Sequence, residues 1–364
     1  MMIPAPVSSR HFQTKRTGLI AACRLSLGLL GGIMLSALAI SPQSRAQEVT
    51  QDDAPSYAIA LHGGAGTITR ASMTAESEAA YRAALGEALI AGQSVLKSGG
   101  TAIDAVAASI RIMEDSPLFN AGKGAVFTYD GRNELDAAIM DGRTLKAGAI
   151  TGVTRIKNPI LLARAVMDQS RHVMLSGLGA EHFARTQGID LVSPTWFFTD
   201  RRYQQLLSIQ NHEKGAMQLH FDGDHQFGTV GVVALDQAGN LAAGTSTGGL
   251  TNKEWGRIGD SPIIGAGTYA DNKSCAVSAT GTGEYFMRAT AARTICALIE
   301  YKGYDAQKAA DEVIHQKIAG LGGDGGVIAL SHSGEIAFSF NTEGMYRAKL
   351  SSQNPTPDIL IYKD

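Results

Sequence analysis

The dipeptide Gly228-Thr229 is the part of this sequence best suited to nucleophilic chemistry. A threonine hydroxyl is a poor nucleophile unless a base lies beside it. A threonine that begins a chain carries its own base, because an α-amine has an unperturbed pKa of about 8. Residues 211–227 are polar and aperiodic, which predicts an exposed loop before the dipeptide. This context favours self-cleavage, in which the Thr229 hydroxyl attacks the carbonyl of Gly228, where glycine imposes few steric limits.

A glycine-threonine pair alone is more typical of an ordinary strand start, so the neighbouring motifs decide its interpretation. Three glycine-rich segments follow it, at residues 245–249, 256–262 and 280–284. With residues 228–231, these motifs resemble the plant-type L-asparaginases, also called isoaspartyl aminopeptidases, among the N-terminal nucleophile hydrolases. The resemblance covers about residues 57–362. It implies that the precursor cuts itself between Gly228 and Thr229, and that the freed Thr229 is the nucleophile.

The resemblance implies further catalytic roles around Thr229. Thr247 would hydrogen-bond the nucleophile. Thr280 and Gly281 would donate to the oxyanion, which is consistent with the free amides expected at a helix start. Asn120 is a second candidate for binding near the reacting carbonyl.

Substrate binding is implied for two charged residues of a glycine-rich loop. Arg257 would bind the α-carboxylate of the substrate with its guanidinium, and Asp260 would accept from its α-amine. Gly281 and Gly283 are similar to the glycines that complete this part of the family's site. Without the resemblance, opposite charges three residues apart indicate an ordinary surface ion pair.

A loop before residue 124 resembles the sodium-binding loop of the same family, which is built from backbone carbonyls. The ion would be structural, and the chemistry itself would need no cofactor. The carbonyls implied are those of Met113, Glu114, Ser116, Phe119, Ala121 and Lys123.

A second pattern competes with this interpretation. Residues 244–248 match the G-x-S-x-G nucleophile elbow with Ser246 at its centre, and residues 62–66 resemble the oxyanion loop of lipases. An α/β-hydrolase esterase is therefore an alternative. The elbow must lead directly into a helix, however, and residues 250–262 are predicted to be a loop. A third alternative is an exported binding protein in which Thr229 stays uncut.

The first 46 residues predict a secretory signal peptide. Four basic residues precede an uncharged apolar run at residues 25–40, and Ser44-Arg45-Ala46 offers a cleavage site. The alternative is a retained membrane anchor. We expect a periplasmic or secreted protein with no membrane association after removal of the signal, consisting of an α subunit (residues 47–228) and a β subunit (residues 229–364).

Composition excludes one class of partner. Without residues 1–46 the chain has 27 Lys and Arg against 34 Asp and Glu, a formal net charge of -7. This balance gives no basic surface for nucleic acid. Cys275 and Cys296 remain, and we expect two buried thiols rather than a disulfide.

The elements expected to position these residues alternate in short runs. Strands are predicted at residues 57–61, 125–129, 135–140, 172–176, 228–235, 241–247, 263–268, 274–280, 325–330 and 335–340. Helices are predicted at residues 74–97, 101–113, 158–167, 180–185, 196–209, 284–301 and 305–319. Strands in hairpin runs and helices in pairs indicate an α+β class with antiparallel sheets.

The resemblance further implies a four-layer αββα sandwich and a homodimer of cleaved α/β pairs. Its activity would be hydrolysis of β-aspartyl amides, with isoaspartyl dipeptides and L-asparagine as substrates. A glycosylasparaginase, which acts on sugar-linked asparagine, is the nearest alternative.

Overall fold

The computed structural model describes residues 56–215 and 228–363. The predicted signal peptide lies outside these residues, and so do residues 216–227 of the predicted loop. Within them, no helix is long and apolar enough to cross a membrane.

Strands of the described residues form an eight-stranded and a four-stranded sheet. The larger sheet has the order β12-β11-β1-β5-β6-β2-β3-β4, antiparallel except for the β3–β4 pair, and the smaller has the antiparallel order β10-β9-β8-β7. The strands are β1 (Ala58–Gly66), β2 (Leu135–Asp141), β3 (Ala147–Val153), β4 (Met174–Ser176), β5 (Val230–Leu235), β6 (Leu241–Thr247), β7 (Thr268–Ala270), β8 (Cys275–Gly281), β9 (Gly325–Ser331), β10 (Ile336–Phe340), β11 (Gly344–Ser351) and β12 (Asp358–Tyr362). The predicted β5–β6 and β9–β10 hairpins are confirmed.

Several helices begin where the sequence predicts a cap. Thr74 accepts a hydrogen bond from the Ser77 amide at 3.2 Å, and Thr101 accepts one from the Asp104 amide at 3.3 Å. The helices are α1 (Ala75–Lys97), α2 (Ala102–Asp115), α3 (Pro159–Gln169), α4 (Gly177–Thr186), α5 (Asp200–Gly215), α6 (Gly283–Ala289), α7 (Ala291–Lys302) and α8 (Ala306–Asp311), which continues into a π-helical segment at Glu312–Ile318.

Alternation along the strands supplies side chains to more than one core. In β5, Val232 packs with α1 to α3 beneath the larger sheet, whereas Val233 packs with residues of the smaller sheet such as Ala276. Helices α7 and α8 pack on the smaller sheet through residues such as Ile295 and Val277. Helices and largely antiparallel sheets therefore share the described chain, and the α+β class is confirmed.

The predicted strands contain several errors. Of residues 263–268 only Thr268 belongs to a strand, β7, and β3 was not predicted. Residues 62–66, which resemble an oxyanion loop in sequence, belong to β1, with a bulge between His62 and Gly64. A side chain at Gly63 would overlap the ring of Phe119, so glycine here permits close packing. Residues 125–129 do not form the predicted strand, because β2 pairs instead with β3 and β6.

Two predicted helices have different bounds. The helix expected at 284–301 divides at Thr290, whose φ of 45° lies in the left-handed region and separates α6 from α7. Residues 211–215, which were expected to lie in a loop, belong to α5 (Asp200–Gly215).

The expectation of two free thiols is wrong. Cys275 on β8 and Cys296 on α7 form a disulfide, with Cα atoms 5.3 Å apart. Burial of both residues was anticipated, but a 21-residue separation in sequence did not reveal that α7 packs directly on β8.

Candidate active site

Thr229 immediately precedes β5 and lies beside the end of β6. The antiparallel register pairs Val230 with Ser246, which brings the Thr229 and Thr247 hydroxyls together. The Thr229 hydroxyl donates to the Thr247 oxygen at 3.1 Å. The Thr247 hydroxyl in turn donates to the Gly228 carbonyl at 3.3 Å and accepts from the Gly249 amide at 3.0 Å. One hydroxyl thus contacts both the predicted nucleophile and the carbonyl of the predicted cleavage bond.

A small pocket surrounds this pair. It brings together the predicted residues Thr229, Thr247, Arg257, Asp260 and Gly281, although 52 residues separate the first from the last. The full lining consists of Gly228, Thr229, Thr247, Gly249, Leu250, Arg257, Gly259, Asp260, Ser261 and Gly281. Gly249, Gly259 and Ser261 lie within the glycine-rich segments and Leu250 follows one of them, but the sequence assigned no role to any of the four.

Asn120 lies behind the bond between Gly228 and Thr229. A Cβ at Gly228 would be 2.6 Å from the Asn120 Cβ, so only glycine fits there. The Asn120 amide donates to the Gly249 carbonyl at 2.7 Å, and its oxygen accepts from the Val126 amide at 2.9 Å. The side chain of Asn120 therefore connects two backbone segments, at Val126 and at Gly249, and Gly249 lines the pocket.

The predicted oxyanion donors lie at the end of β8. Thr280 is fully buried, and within the described residues its hydroxyl has no hydrogen-bond partner. Gly281 lines the pocket with a φ of 152°, and a Cβ there would come within 2.8 Å of the Phe286 ring. A buried polar group without a partner is costly and needs an explanation. Thr280 does not itself line the pocket, but the adjoining Gly281 does, and a negative charge that develops there would supply a partner.

Asp260 is a buried carboxylate in the same pocket, only 4% exposed. Burial raises its pKa to about 7, while the charge of Arg257 and backbone amides oppose the shift. Its Oδ2 has no hydrogen-bond partner among the described residues. Gly283 packs against it, since a Cβ at Gly283 would lie 2.9 Å from Oδ1. An ammonium group would satisfy this carboxylate.

Arg257 does not form an ion pair with Asp260, so that alternative from the sequence is wrong. Its Nε and Nη2 both donate to the carboxylate of Glu284, at 2.8 Å each. Glu284 is the last residue of the Thr280–Glu284 motif, but its role as partner of Arg257 was not foreseen. No spacing rule relates two residues 27 positions apart.

The esterase alternative is contradicted at Ser246. This residue is fully buried in β6 and donates to Glu114 on α2 at 2.6 Å. The strand leads into turns and irregular segments and then β7, rather than directly into a helix. Ser246 therefore lacks both the exposure and the setting of a nucleophile elbow.

Among the described residues, the contacts of the predicted sodium loop hold its carbonyls within the loop and do not direct them to a common centre. The carbonyls of Glu114 and Phe119 point at Gly122 and Gly124, where any Cβ would collide with them. The Met113 and Ala121 carbonyls accept within the loop, from Ser116 at 3.3 Å and Gly124 at 3.2 Å. Lys123 lies with its ammonium 4.4 Å from the centre of the Trp196 ring. The Lys123 ammonium therefore makes a cation–π interaction with the Trp196 ring.

Comparisons with known proteins agree with this geometry. The family model described as Asparaginase matches residues 55–361. The chain belongs to this asparaginase family. An isoaspartyl peptidase of Escherichia coli (strain K12) is 52% identical over 311 residues, which is 84% of this chain and 96% of that protein. Family membership makes the chain a hydrolase.

More distant members of the family share most of its length. A probable isoaspartyl peptidase/L-asparaginase 2 of Arabidopsis thaliana is 43% identical over 312 residues, 80% of this chain and 94% of that protein. An isoaspartyl peptidase/L-asparaginase of Homo sapiens is 41% identical over 288 residues, 79% of this chain and 91% of that protein. The resemblance inferred from the glycine-rich motifs is therefore confirmed.

Proposed function

We propose that this asparaginase-family chain is a threonine hydrolase of isoaspartyl peptides and L-asparagine, activated by its own cleavage between Gly228 and Thr229. The observation that carries the proposal is the Thr247 hydroxyl, which contacts the Thr229 hydroxyl and the Gly228 carbonyl at once. Relatives named isoaspartyl peptidase support the substrate class and favour it over sugar-linked asparagine.

Cleavage requires no group beyond the chain and water. The Thr229 oxygen bonds to the Gly228 carbonyl carbon, the peptide C–N bond breaks, and the hydroxyl proton passes to the nitrogen. Thr247 donates to the carbonyl oxygen as charge develops on it. Water then hydrolyses the resulting ester. The products are an α subunit ending at Gly228 and a β subunit beginning at Thr229.

The mature reaction uses the same hydroxyl. The free α-amine of Thr229 takes its proton as the oxygen attacks the β-carbonyl of the substrate. Thr280 and Gly281 stabilise the oxyanion. The amine returns the proton to the leaving nitrogen, and water releases aspartate from the ester. All these groups belong to the protein, so the chemistry needs no cofactor.

Arg257 and Asp260 orient the substrate. In a β-aspartyl amide the α-carboxylate and α-amine are both free, so the guanidinium binds the first and the carboxylate binds the second. Gly283 lies against Asp260 and completes the ammonium site. A normal α-aspartyl peptide has its reacting carbonyl where Arg257 requires a carboxylate, and we expect it to be a poor substrate.

The remaining parts of the proposal concern assembly. Three packed cores support a four-layer αββα sandwich of the N-terminal nucleophile hydrolase type. A sodium ion bound by the carbonyls of residues 113–123 would stabilise the loop that contains Asn120. Two cleaved α/β pairs would form a homodimer, and residues 1–46 would direct export to the periplasm or outside the cell.

Denaturing electrophoresis with N-terminal sequencing of each band tests self-activation. We expect two chains from the wild type, the shorter beginning at Thr229. Thr229→Ala has no hydroxyl and is expected to remain one band, whereas Thr229→Ser and the buried-site control Ser246→Ala are expected to cleave. Cleavage of Thr229→Ala at this bond, or a covalent substrate adduct on Ser246 in mass spectrometry, would overturn the proposal.

A further inference from the structure

Among the described residues, the guanidinium of Arg257 is hydrogen-bonded along one edge. Its Nε and Nη2 each donate to a different oxygen of Glu284, at 2.8 Å, which is the two-pronged geometry that guanidinium and carboxylate groups share. The Arg257 side chain is 18% exposed and that of Glu284 is 46% exposed. Burial opposes ionisation of Glu284, but the hydrogen bonds and charge of Arg257 keep its pKa below the ordinary value. The pair is therefore ionised near neutral pH.

A guanidinium has five N–H donors, so this pairing leaves a second edge available. Nη1 has no hydrogen bond to any described residue, and it lies over Gly259, where a Cβ would be only 2.8 Å from it. Gly259 and Arg257 both line the pocket that contains Thr229. The Nη1–Nη2 edge thus lies on the pocket side of the loop, where a second carboxylate can bind without displacing Glu284.

Glu284 also affects whether Asp260 is available to bind the substrate. Arg257 and Asp260 interact electrostatically, yet the guanidinium hydrogen-bonds Glu284 and leaves the Asp260 Oδ2 without a partner. Without Glu284, the buried carboxylate of Asp260 is a partner with which Arg257 already interacts electrostatically. A direct pair between them would occupy both groups that the substrate requires.

We propose that Glu284 is a positioning residue for substrate binding. It fixes Arg257 by the Nε–Nη2 edge, so that the Nη1–Nη2 edge receives the α-carboxylate of a β-aspartyl substrate and Asp260 remains available for its ammonium. This inference rests on the proposed function, because it assigns Arg257 the same ligand. It gives a role to Glu284, which belongs to a motif but had no assigned function, and explains why both carboxylates lie near one guanidinium.

Steady-state kinetics with β-Asp-Leu test the proposal. Glu284→Gln keeps the shape of the side chain but removes its charge, and we expect KM to rise roughly tenfold to a hundredfold with a much smaller change in kcat. Glu284→Asp is expected to recover part of the loss. Glu254→Gln removes the same charge from the neighbouring loop and serves as the matched control, with KM close to that of the wild type. Two bands in electrophoresis confirm that each variant has matured.

Two further measurements separate positioning from a general structural effect. Inhibition by L-aspartate is expected to weaken in Glu284→Gln, whereas inhibition by β-alanine, which lacks the α-carboxylate, is expected to stay unchanged. In an Arg257→Ala background, Glu284→Gln is expected to have no additional effect on kcat/KM, since the two residues act as a unit.

The outcomes are distinguishable. A lower KM in Glu284→Gln would show that Glu284 competes with the substrate, and independent effects of the two substitutions would show that it does not act through Arg257. Either result overturns the role of Glu284 while the wild type still hydrolyses β-Asp-Leu. A mature wild type inactive on both β-Asp-Leu and L-asparagine would instead overturn the proposed function and this inference with it.

Discussion

The Thr247 hydroxyl is placed to act twice, before and after cleavage. In the intact chain it contacts the Gly228 carbonyl at 3.3 Å and the Thr229 hydroxyl at 3.1 Å. Cleavage frees the first partner but not the second, so the same hydroxyl remains beside the nucleophile during turnover. Maturation and hydrolysis are therefore expected to depend on this one side chain.

We predict that Thr247→Ala slows precursor cleavage by roughly 10²- to 10³-fold, the loss typical of removing one donor from a developing oxyanion. Thr247→Ser retains the hydroxyl and is expected to cleave at a rate near that of the wild type. The measurement is the time course of band conversion after purification. If Thr247→Ala is cleaved into two chains at the wild-type rate, Thr247 has no role in the cleavage mechanism.

Asp260 gives a prediction for pH dependence. Its pKa is raised to about 7 by burial, and only the ionised carboxylate can pair with the substrate's ammonium. As pH falls through 7, protonation of Asp260 removes this partner, so inhibition by L-aspartate is expected to weaken by up to about tenfold per pH unit. Inhibition constants measured between pH 6 and 9 test this.

Succinate is the control for the same experiment, because it resembles aspartate but has no amine. Its inhibition is expected to lack the ionisation near pH 7. An identical pH profile for the two inhibitors would show that the titrating group is not the ammonium partner. In Asp260→Asn, the difference between the two profiles is expected to disappear.

At the scale of elements, the sequence revealed caps and hairpins better than glycine-rich strands. Thr74 and Thr101 cap helices through local hydrogen bonds that need only neighbouring residues. The strands β3, β11 and β12 were missed, and the glycines of β1 fell outside its predicted strand. The β1 glycines pair with β11, which is distant in sequence, whereas β12 is an edge strand that pairs with the neighbouring β11. The division at Thr290 is likewise not local, because the first amides of α7, those of Ala292 and Arg293, donate to the Ala266 and Gly265 carbonyls.

The site residues also divide into those that local sequence predicts and those whose contacts depend on tertiary packing. Thr229, Thr247, Arg257 and Asp260 are found from motifs, and they converge on one pocket. The pairing of Arg257 with Glu284 and the enclosure of Ser246 against Glu114 depend on how α6 and α2 pack, which residue types and spacing do not encode.

The disulfide between β8 and α7 gives a prediction at this scale. Cys275 and Cys296 close a loop of 21 residues, for which loop entropy indicates a contribution of about 3 kcal/mol to unfolding free energy. We expect Cys275→Ala/Cys296→Ala to lose about this amount in urea unfolding. The measurement uses the Thr229→Ala background, where the chain stays whole.

A reducing agent supplies the control. It is expected to lower the stability of the Thr229→Ala protein towards that of the cysteine-free variant and to leave that variant unaffected. Two alkylatable thiols in unreduced, denatured protein would contradict the disulfide.

Across the whole molecule, a buried polar chain connects the two sheets behind the pocket. His62 on β1 hydrogen-bonds Ser278 on β8 at 3.0 Å, and Ser278 is 2.7 Å from the Thr245 hydroxyl on β6. Thr245 accepts from Thr268 on β7 at 2.6 Å. Such a network stabilises the packing only while its members keep their partners. His62 is the one member that titrates below neutral pH.

Lowering the pH is therefore expected to reduce the free energy of unfolding through the ionisation of His62. Burial lowers its pKa from 6.5 to about 3, although an interaction with the Thr229 backbone opposes the shift. Below pH 6.5 the unfolded chain binds a proton that the folded chain excludes, so this contribution to stability is present above pH 6.5 and is lost as pH falls towards 3. Each pH unit costs at most about 1.4 kcal/mol. Urea unfolding measured from pH 7 to pH 4 is expected to show a steeper loss of unfolding free energy in Thr229→Ala than in Thr229→Ala/His62→Gln. The second protein cannot titrate at position 62 but shares every other ionisable group. Parallel pH profiles for the two proteins would exclude His62 as the cause.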